Sequence, residues 1–123
     1  MAYGQTELTA MIQQDLEMME GRREPVKAGF LEKMGVKKVK PALLHVNPDD
    51  EFSDPAIGPN LAIVENYSTL ARRLSGENQP VYEEPVQVVK LKEDGYMLLN
   101  GHHRWAGAIR ARVSTIRIKI LDP

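Results

Sequence analysis

One short segment of the sequence concentrates the side chains that could bind an anion. Residues 98–105 read LLNGHHRW and place a glycine between an apolar run and a predicted helix. The first amides of a helix lack internal acceptors and lie at the positive end of the helix dipole, which favours an anion there. Arg104 can add two parallel hydrogen bonds to a phosphate. The residues predicted to form a phosphate-binding turn are Asn100, Gly101, His102, His103 and Arg104.

An acidic loop is the second segment with candidate chemistry. Residues 47–55 read NPDDEFSDP, and four of these side chains are carboxylates. A carboxylate can orient a water or hydroxyl for attack on phosphorus, or contact a Mg²⁺ ion that arrives with a nucleotide. Phosphoryl transfer otherwise asks for positioning and neutralisation of charge. The loop is therefore either a solvated turn or an acidic rim that attracts a metal ion; if the protein transfers phosphoryl groups or hydrolyses nucleotides, the candidate catalytic residues are Asp49, Asp50, Glu51 and His103.

Other kinds of site are disfavoured. The chain has no cysteine, which excludes disulfides, thiolate metal sites and cysteine nucleophiles. The adjacent His102 and His103 point in different directions on a helix, and the zinc spacing His-Glu-x-x-His is missing, so we predict no metal held by the protein alone. The glycine patterns of the P-loop and of dinucleotide-binding folds are missing as well.

Hydrophobic periodicity assigns the elements that must position these segments. Helices are predicted at residues 6–20, with Thr6 as N-cap, and at 25–34, 60–75 and 104–111. Strands are predicted at residues 41–46, 86–91, 96–99 and 115–121. Together they predict an α+β fold, a small mixed sheet with helices packed on it.

Composition limits the class of protein. The 123 residues are 42% apolar and 27% charged, with a net charge of −1. Domains that hold DNA by bulk charge are usually strongly basic, so this balance disfavours them. No apolar run approaches the roughly 18–20 residues of a membrane span, and the N-terminus does not resemble a secretory signal. We therefore expect a cytoplasmic protein with no membrane partner.

The N-terminal part is predicted to be a helical extension, residues 1–37, before a domain at 38–123. Apolar side chains of residues 6–20 share one helix face. That face either packs on its own domain or contacts a partner, in which case the chain would be a homodimer through this helix.

The order of these elements resembles the ParB/sulfiredoxin-like superfamily over residues 38–121. Members carry a strand that ends in a Gly-x-x-Arg turn and opens a helix, as residues 98–108 do here. The Asn47-Pro48 loop, the helix at 60–75, the strand from Val86 and the last strand follow in the same order. The most similar variant is the Asp-Gly-His-His-Arg form of ParB-like domains and ADP-dependent free serine kinases.

The resemblance implies a ParB/sulfiredoxin-like fold and binding of a nucleotide (ATP, ADP or CTP), with Mg²⁺, at the Gly101–Arg104 turn. It also excludes one branch, because the sulfinic-acid reductases need a cysteine where His102 stands. The serine kinases have Asp where this chain has Asn100, and an Asn cannot accept a proton as Asp does.

Three functions follow as hypotheses. The first is a nucleotide-phosphate-binding ParB-like domain, acting as a phosphotransferase or nucleotide hydrolase. The second is a non-enzymatic accessory protein of a phage or mobile element, which binds DNA or a partner through residues 22–40 and 100–119. The third is a ParB-like nuclease. The sequence leaves open whether the domain is an enzyme.

Overall fold

The structure is a computed structural model that describes residues 3–123. The helices are α1 (Gln5–Met18), α2 (Phe30–Lys33), α3 (Leu61–Gly76) and α4 (His102–Ala111). The strands are β1 (Pro25–Val26), β2 (Lys37–Val39), β3 (Leu44–His45), β4 (Val86–Leu91), β5 (Tyr96–Asn100) and β6 (Ile116–Ile120). Short 3₁₀ turns lie at Pro41–Leu43 and Glu51–Ser53.

The strands form one mixed sheet in the order β2-β6-β4-β5-β3, and β1 pairs with the end of β4. Two pairs are parallel, β3 with β5 and β4 with β6, and the others are antiparallel. This sheet with its helices confirms the predicted α+β class. The turn from β5 into α4 leaves the sheet beside β4, its central strand.

The core lies between the sheet and the pair α3 and α4. Strand β6 alternates as predicted, with three isoleucines buried and Arg117 and Lys119 on its other face. Trp105 is buried on α4, and its indole N–H donates to the Pro41 carbonyl at 2.9 Å. Trp105 therefore packs in the core and ties α4 to the turn before β3.

Close packing fixes α4 against α3. A Cβ added at Gly107 would lie 2.6 Å from the Tyr67 Cβ, so only glycine allows this approach of the helices. The hydroxyl of Tyr82 donates its single proton to the Arg104 carbonyl at 2.6 Å, and the Tyr67 carbonyl lies 3.3 Å from the same hydroxyl oxygen. Burial raises the pKa of that hydroxyl, which keeps it protonated and able to donate. The start of α4 therefore has a defined position.

Several local predictions are wrong. Residues 25–34 are not one helix, because β1 pairs there with β4 before the four-residue α2 begins. Residues 41–46 begin as a 3₁₀ turn at Pro41 and extend only at Leu44–His45. Helix α4 begins at His102 instead of 104, since a left-handed Gly101 turns the chain into it at once.

The start of α1 also differs from the prediction. Gly4 is its N-cap, because the Glu7 carboxylate accepts the Gly4 N–H at 3.0 Å, and Thr6 lies inside the helix. The bounds of the other predicted elements agree with the structure to within two residues.

The N-terminal segment shares the main core. Leu8 and Ile12 of α1 are buried in the same hydrophobic cluster as the sheet residues, so the apolar face of α1 contacts its own domain. The division at residue 37 and the homodimer remain predictions. None of the helices among residues 3–123 is long and apolar enough to cross a membrane.

Candidate functional site

A cleft of about 380 Å³ lies in front of the turn from β5 into α4. All five residues predicted to bind phosphate line it, together with one carboxylate of the acidic loop and three larger side chains. The lining residues are Asp50, Ile63, Tyr67, Leu99, Asn100, Gly101, His102, His103 and Arg104. The turn therefore borders open space, with Gly101, His103 and Arg104 half-buried and His102 buried.

Gly101 makes the turn possible. Its φ of +100° lies in the left-handed region, which side chains other than glycine adopt at a cost. A Cβ at this position would lie 2.6 Å from the Cγ1 of Val86, a fully buried core residue. The strand thus becomes a helix within one residue, and the Trp105 N–H already donates to the Gly101 carbonyl at 2.9 Å.

The first turn of α4 has no side-chain cap and no acidic residue of its own. Its N-cap residue is Gly101, which has no side chain. Among residues 3–123, no acceptor is bonded to the amides of His102, His103 or Arg104. Unpartnered helix-start amides carry partial positive charge, so they favour an anion in the adjoining cleft.

Arg104 is held at one end of its guanidinium. Nη1 donates to the Glu84 carbonyl at 2.8 Å, while Nη2 lies 2.9 Å from the point where a Cβ of Gly101 would be. Within the described chain, Nη2 and Nε have no acceptor. The side chain is therefore positioned beside the turn with donors left over for a phosphate.

His102 is a buried neutral imidazole. Its Nε2 accepts the Asn47 N–H at 3.0 Å, and only 4% of the residue is exposed. Burial lowers the pKa of His102 to about 4, against a smaller opposing effect of Asp50. The ring proton is therefore on Nδ1, which lies 3.7 Å from Oδ2 of Asp50. His102 thus links the first residue of the acidic loop to the turn.

His103 makes an equivalent contact with the residue that precedes α3. Its Nε2 accepts the N–H of Asn60 at 3.1 Å, and Asn60 in turn caps α3 by accepting the Ile63 N–H at 3.2 Å. Burial lowers the pKa of His103, so this ring too is neutral at pH 7. Phe52 packs against both imidazoles, with ring centroids 5.2 and 5.0 Å apart. The Nε2 atoms of both histidines are thus occupied by backbone amides.

The structure separates the three candidate carboxylates. Asp50 lines the cleft, and its Oδ1 accepts the Phe52 N–H at 2.9 Å. Asp49 and Glu51 are exposed and are not among the lining residues. Among residues 3–123, no cluster of three or more His, Cys, Asp or Glu is arranged to hold a metal ion.

Sequence reasoning missed two contributions to the site. Asp15 of α1 contacts the His45 Nδ1 at 2.8 Å and accepts the Val46 N–H at 2.9 Å, so it holds the chain just before the acidic loop. No local pattern marks this pair, which is thirty residues apart. The apolar wall of the cleft was missed too: Ile63 lies on α3, and Leu99 lies at a β-bulge in β5.

Comparison with known proteins adds evidence on the fold. No protein-family model matches the sequence, and no curated protein matches it. Solved structures do match. The C-terminally truncated chromosome-partitioning protein ParB from Caulobacter crescentus, complexed with CTP-γ-S, has a TM-score of 0.55 and 23% identity over 72% of this chain and 45% of that chain.

Two further structures agree. The same ParB complexed to the centromeric parS site has a TM-score of 0.54 and 22% identity over 70% of this chain and 40% of that one. Sulfiredoxin from Arabidopsis thaliana has a TM-score of 0.53 and 15% identity over 72% of this chain and 86% of that one. This chain spans less than half the length of the two ParB chains. The element order, the Gly101 turn and these similarities together show that the chain has a ParB/sulfiredoxin-like fold.

Proposed function

We propose that this domain binds a nucleotide through its phosphates at the Gly101–Arg104 turn. The observation that carries the proposal is the set of unpartnered amides at the start of α4, next to free donors of Arg104, along an open cleft. Backbone amides and a guanidinium are complementary to phosphate oxygens in geometry and charge. His103 also lines the cleft, and its neutral ring has an Nδ1–H left as a donor.

The other wall of the cleft suits a nucleoside. Ile63 and Leu99 are partly exposed apolar side chains, and Tyr67 lies beside them on α3. An apolar wall beside convergent polar groups is the usual composition of a small-molecule site. The nucleotides to test are CTP, ATP and ADP, with CTP first because a ParB neighbour is complexed with CTP-γ-S.

Phosphoryl transfer or nucleotide hydrolysis is the finer form of the proposal. Asp50 is the one carboxylate in the lining, which suits a Mg²⁺ that arrives with the nucleotide and keeps most of its waters. Asp50 would contact that ion or accept a proton from the attacking hydroxyl or water. Arg104 and the α4 amides would stabilise the charge on the transferred group.

Isothermal titration of the full chain with each nucleotide, with and without Mg²⁺, tests the proposal. We expect Arg104→Ala to weaken binding about 10- to 100-fold, the value of a charge-assisted hydrogen bond. Arg72→Ala, which removes an exposed arginine of α3, is the matched control and should bind as wild type does. Failure of all three nucleotides, or equal affinity in Arg104→Ala, would overturn the proposal.

Enzymatic turnover and DNA binding are measured separately. Release of phosphate from a bound nucleotide, lost in Asp50→Asn with affinity retained, would support the catalytic form over simple binding. One ParB neighbour is complexed with a DNA site, so titration with duplex DNA in place of nucleotide tests DNA as a partner of this chain.

A further inference from the structure

Four large apolar side chains are exposed within seven residues, and none of them lines the cleft. The exposed fractions are 76% for Phe30, 81% for Leu31, 60% for Met34 and 48% for Val36. We call these four residues the apolar cluster. Scattered apolar residues are normal on a surface, whereas several together usually mark a site of interaction.

The apolar cluster runs directly into an open edge of the sheet. Strand β2 follows Val36 and pairs with β6 on one side. Within residues 3–123, no strand pairs with its other side. The outward N–H and C=O groups of an edge strand can pair with an added strand, which is a common way to bind an extended peptide.

Exposed lysines lie in this edge strand and next to it. They are Lys37 and Lys38 of β2 and the adjacent Lys40, and none forms an ion pair with the described residues. Two acidic residues of the same region already form ion pairs with other lysines. Glu32 pairs with Lys90 at 2.8 Å. The remaining lysine of this segment, Lys33, pairs with Asp122 at 3.0 Å. The edge is therefore positive in a chain whose net charge is −1.

We propose that β2 and the apolar cluster bind an extended segment of a partner protein that carries both apolar and acidic side chains. The segment would add a strand to β2, place its apolar side chains on the apolar cluster, and place its carboxylates near the lysines. Strand pairing supplies affinity, and the apolar and acidic side chains of the segment supply selectivity.

A second copy of this chain fits the edge less well. Two β2 strands related by a two-fold axis would bring Lys37 and Lys38 of both copies together, and like charges opposite each other destabilise a sheet. A lipid surface also fits less well, because hydrocarbon cannot satisfy the free backbone groups of an edge strand. Both are outcomes of the test.

Selection from a random 12-residue peptide display library on the full chain tests the proposal. We expect enrichment of peptides rich in both apolar and acidic residues. Affinity of an enriched peptide, measured by fluorescence anisotropy, should fall at least tenfold in the double variants Phe30→Ser/Leu31→Ser and Lys37→Glu/Lys38→Glu. All four side chains are exposed, so the folded state should persist, as circular dichroism would show. Arg72→Glu is the control for charge reversal and should bind normally.

Other results would overturn the proposal. They are a failure to enrich peptides, enrichment of basic peptides, and dimerisation that the Phe30→Ser/Leu31→Ser variant abolishes. The proposal would also be overturned if no peptide binds and the chain instead binds vesicles of phosphatidylserine and phosphatidylcholine, or a 20-base-pair DNA duplex. Nucleotide affinity should not change in these variants, so this test is independent of the proposed function.

Discussion

The buried imidazole of His102 makes the stability of the fold depend on pH. Unfolded, its pKa is 6.5, and in the fold burial lowers the pKa to about 4. Between these values the unfolded chain binds a proton that the folded chain does not, so stability is complete above pH 6.5 and falls as the pH falls towards 4. Because the side chain is almost fully buried, little solvent screening reduces the effect.

A shift of one pKa unit corresponds to about 1.36 kcal/mol. The free energy of unfolding should therefore fall by about 2 kcal/mol between pH 7.5 and pH 5. Urea unfolding followed by circular dichroism at several pH values would measure it. In His102→Gln, whose side-chain oxygen can still accept the Asn47 N–H, most of this loss should disappear. A shallower slope should remain, because burial also lowers the pKa of His103. Identical pH profiles for the variant and wild type would refute the assignment.

Three substitutions test the packing that positions the turn. Gly101→Ala should destabilise the fold by about 2–4 kcal/mol, because alanine would be strained in the left-handed conformation and its Cβ would clash. The control is Gly76→Ala, which should not lower the urea midpoint because the space around Gly76 is open. Gly107→Ala should cost about 1–3 kcal/mol by pushing α4 away from Tyr67, and an unchanged thermal midpoint would contradict the observed helix contact. Asp15→Asn should cost about 1–3 kcal/mol and speed amide exchange before the acidic loop; wild-type exchange rates would argue against its role.

Elements with a strong local pattern could be predicted from the sequence. Strand β4 matches its predicted bounds, and α3 is displaced by one residue, because each carries a clear period of buried side chains. The two-residue β1 could not be predicted, since it exists only through pairing with β4, more than sixty residues away. The 3₁₀ turn at Pro41–Leu43 could not be predicted for a similar reason. The Pro41 carbonyl accepts a hydrogen bond from Trp105, which is far away in the sequence.

The candidate site could also be predicted only in part from the sequence. The turn at Gly101–Arg104 was predicted because a glycine, two imidazoles and a guanidinium stand side by side in the chain. The sequence could not tell which carboxylate lies near it, because that depends on the Asn47 contact with His102 and the turn after it. Nor could the sequence show that both imidazoles accept hydrogen bonds from backbone N–H groups. Through these bonds the two histidines position the loops around the cleft.

The most direct test of nucleotide binding at this turn is a ¹⁵N–¹H amide spectrum of the full chain recorded while CTP, then ATP, is added with Mg²⁺. The amides of His102, His103 and Arg104 should show the largest shifts, because they have no acceptor until a phosphate arrives. The perturbation should be lost in Arg104→Ala at the same nucleotide concentration. Spectra in which these three amides stay unchanged, while the nucleotide binds elsewhere or not at all, would show that the turn is not a phosphate site.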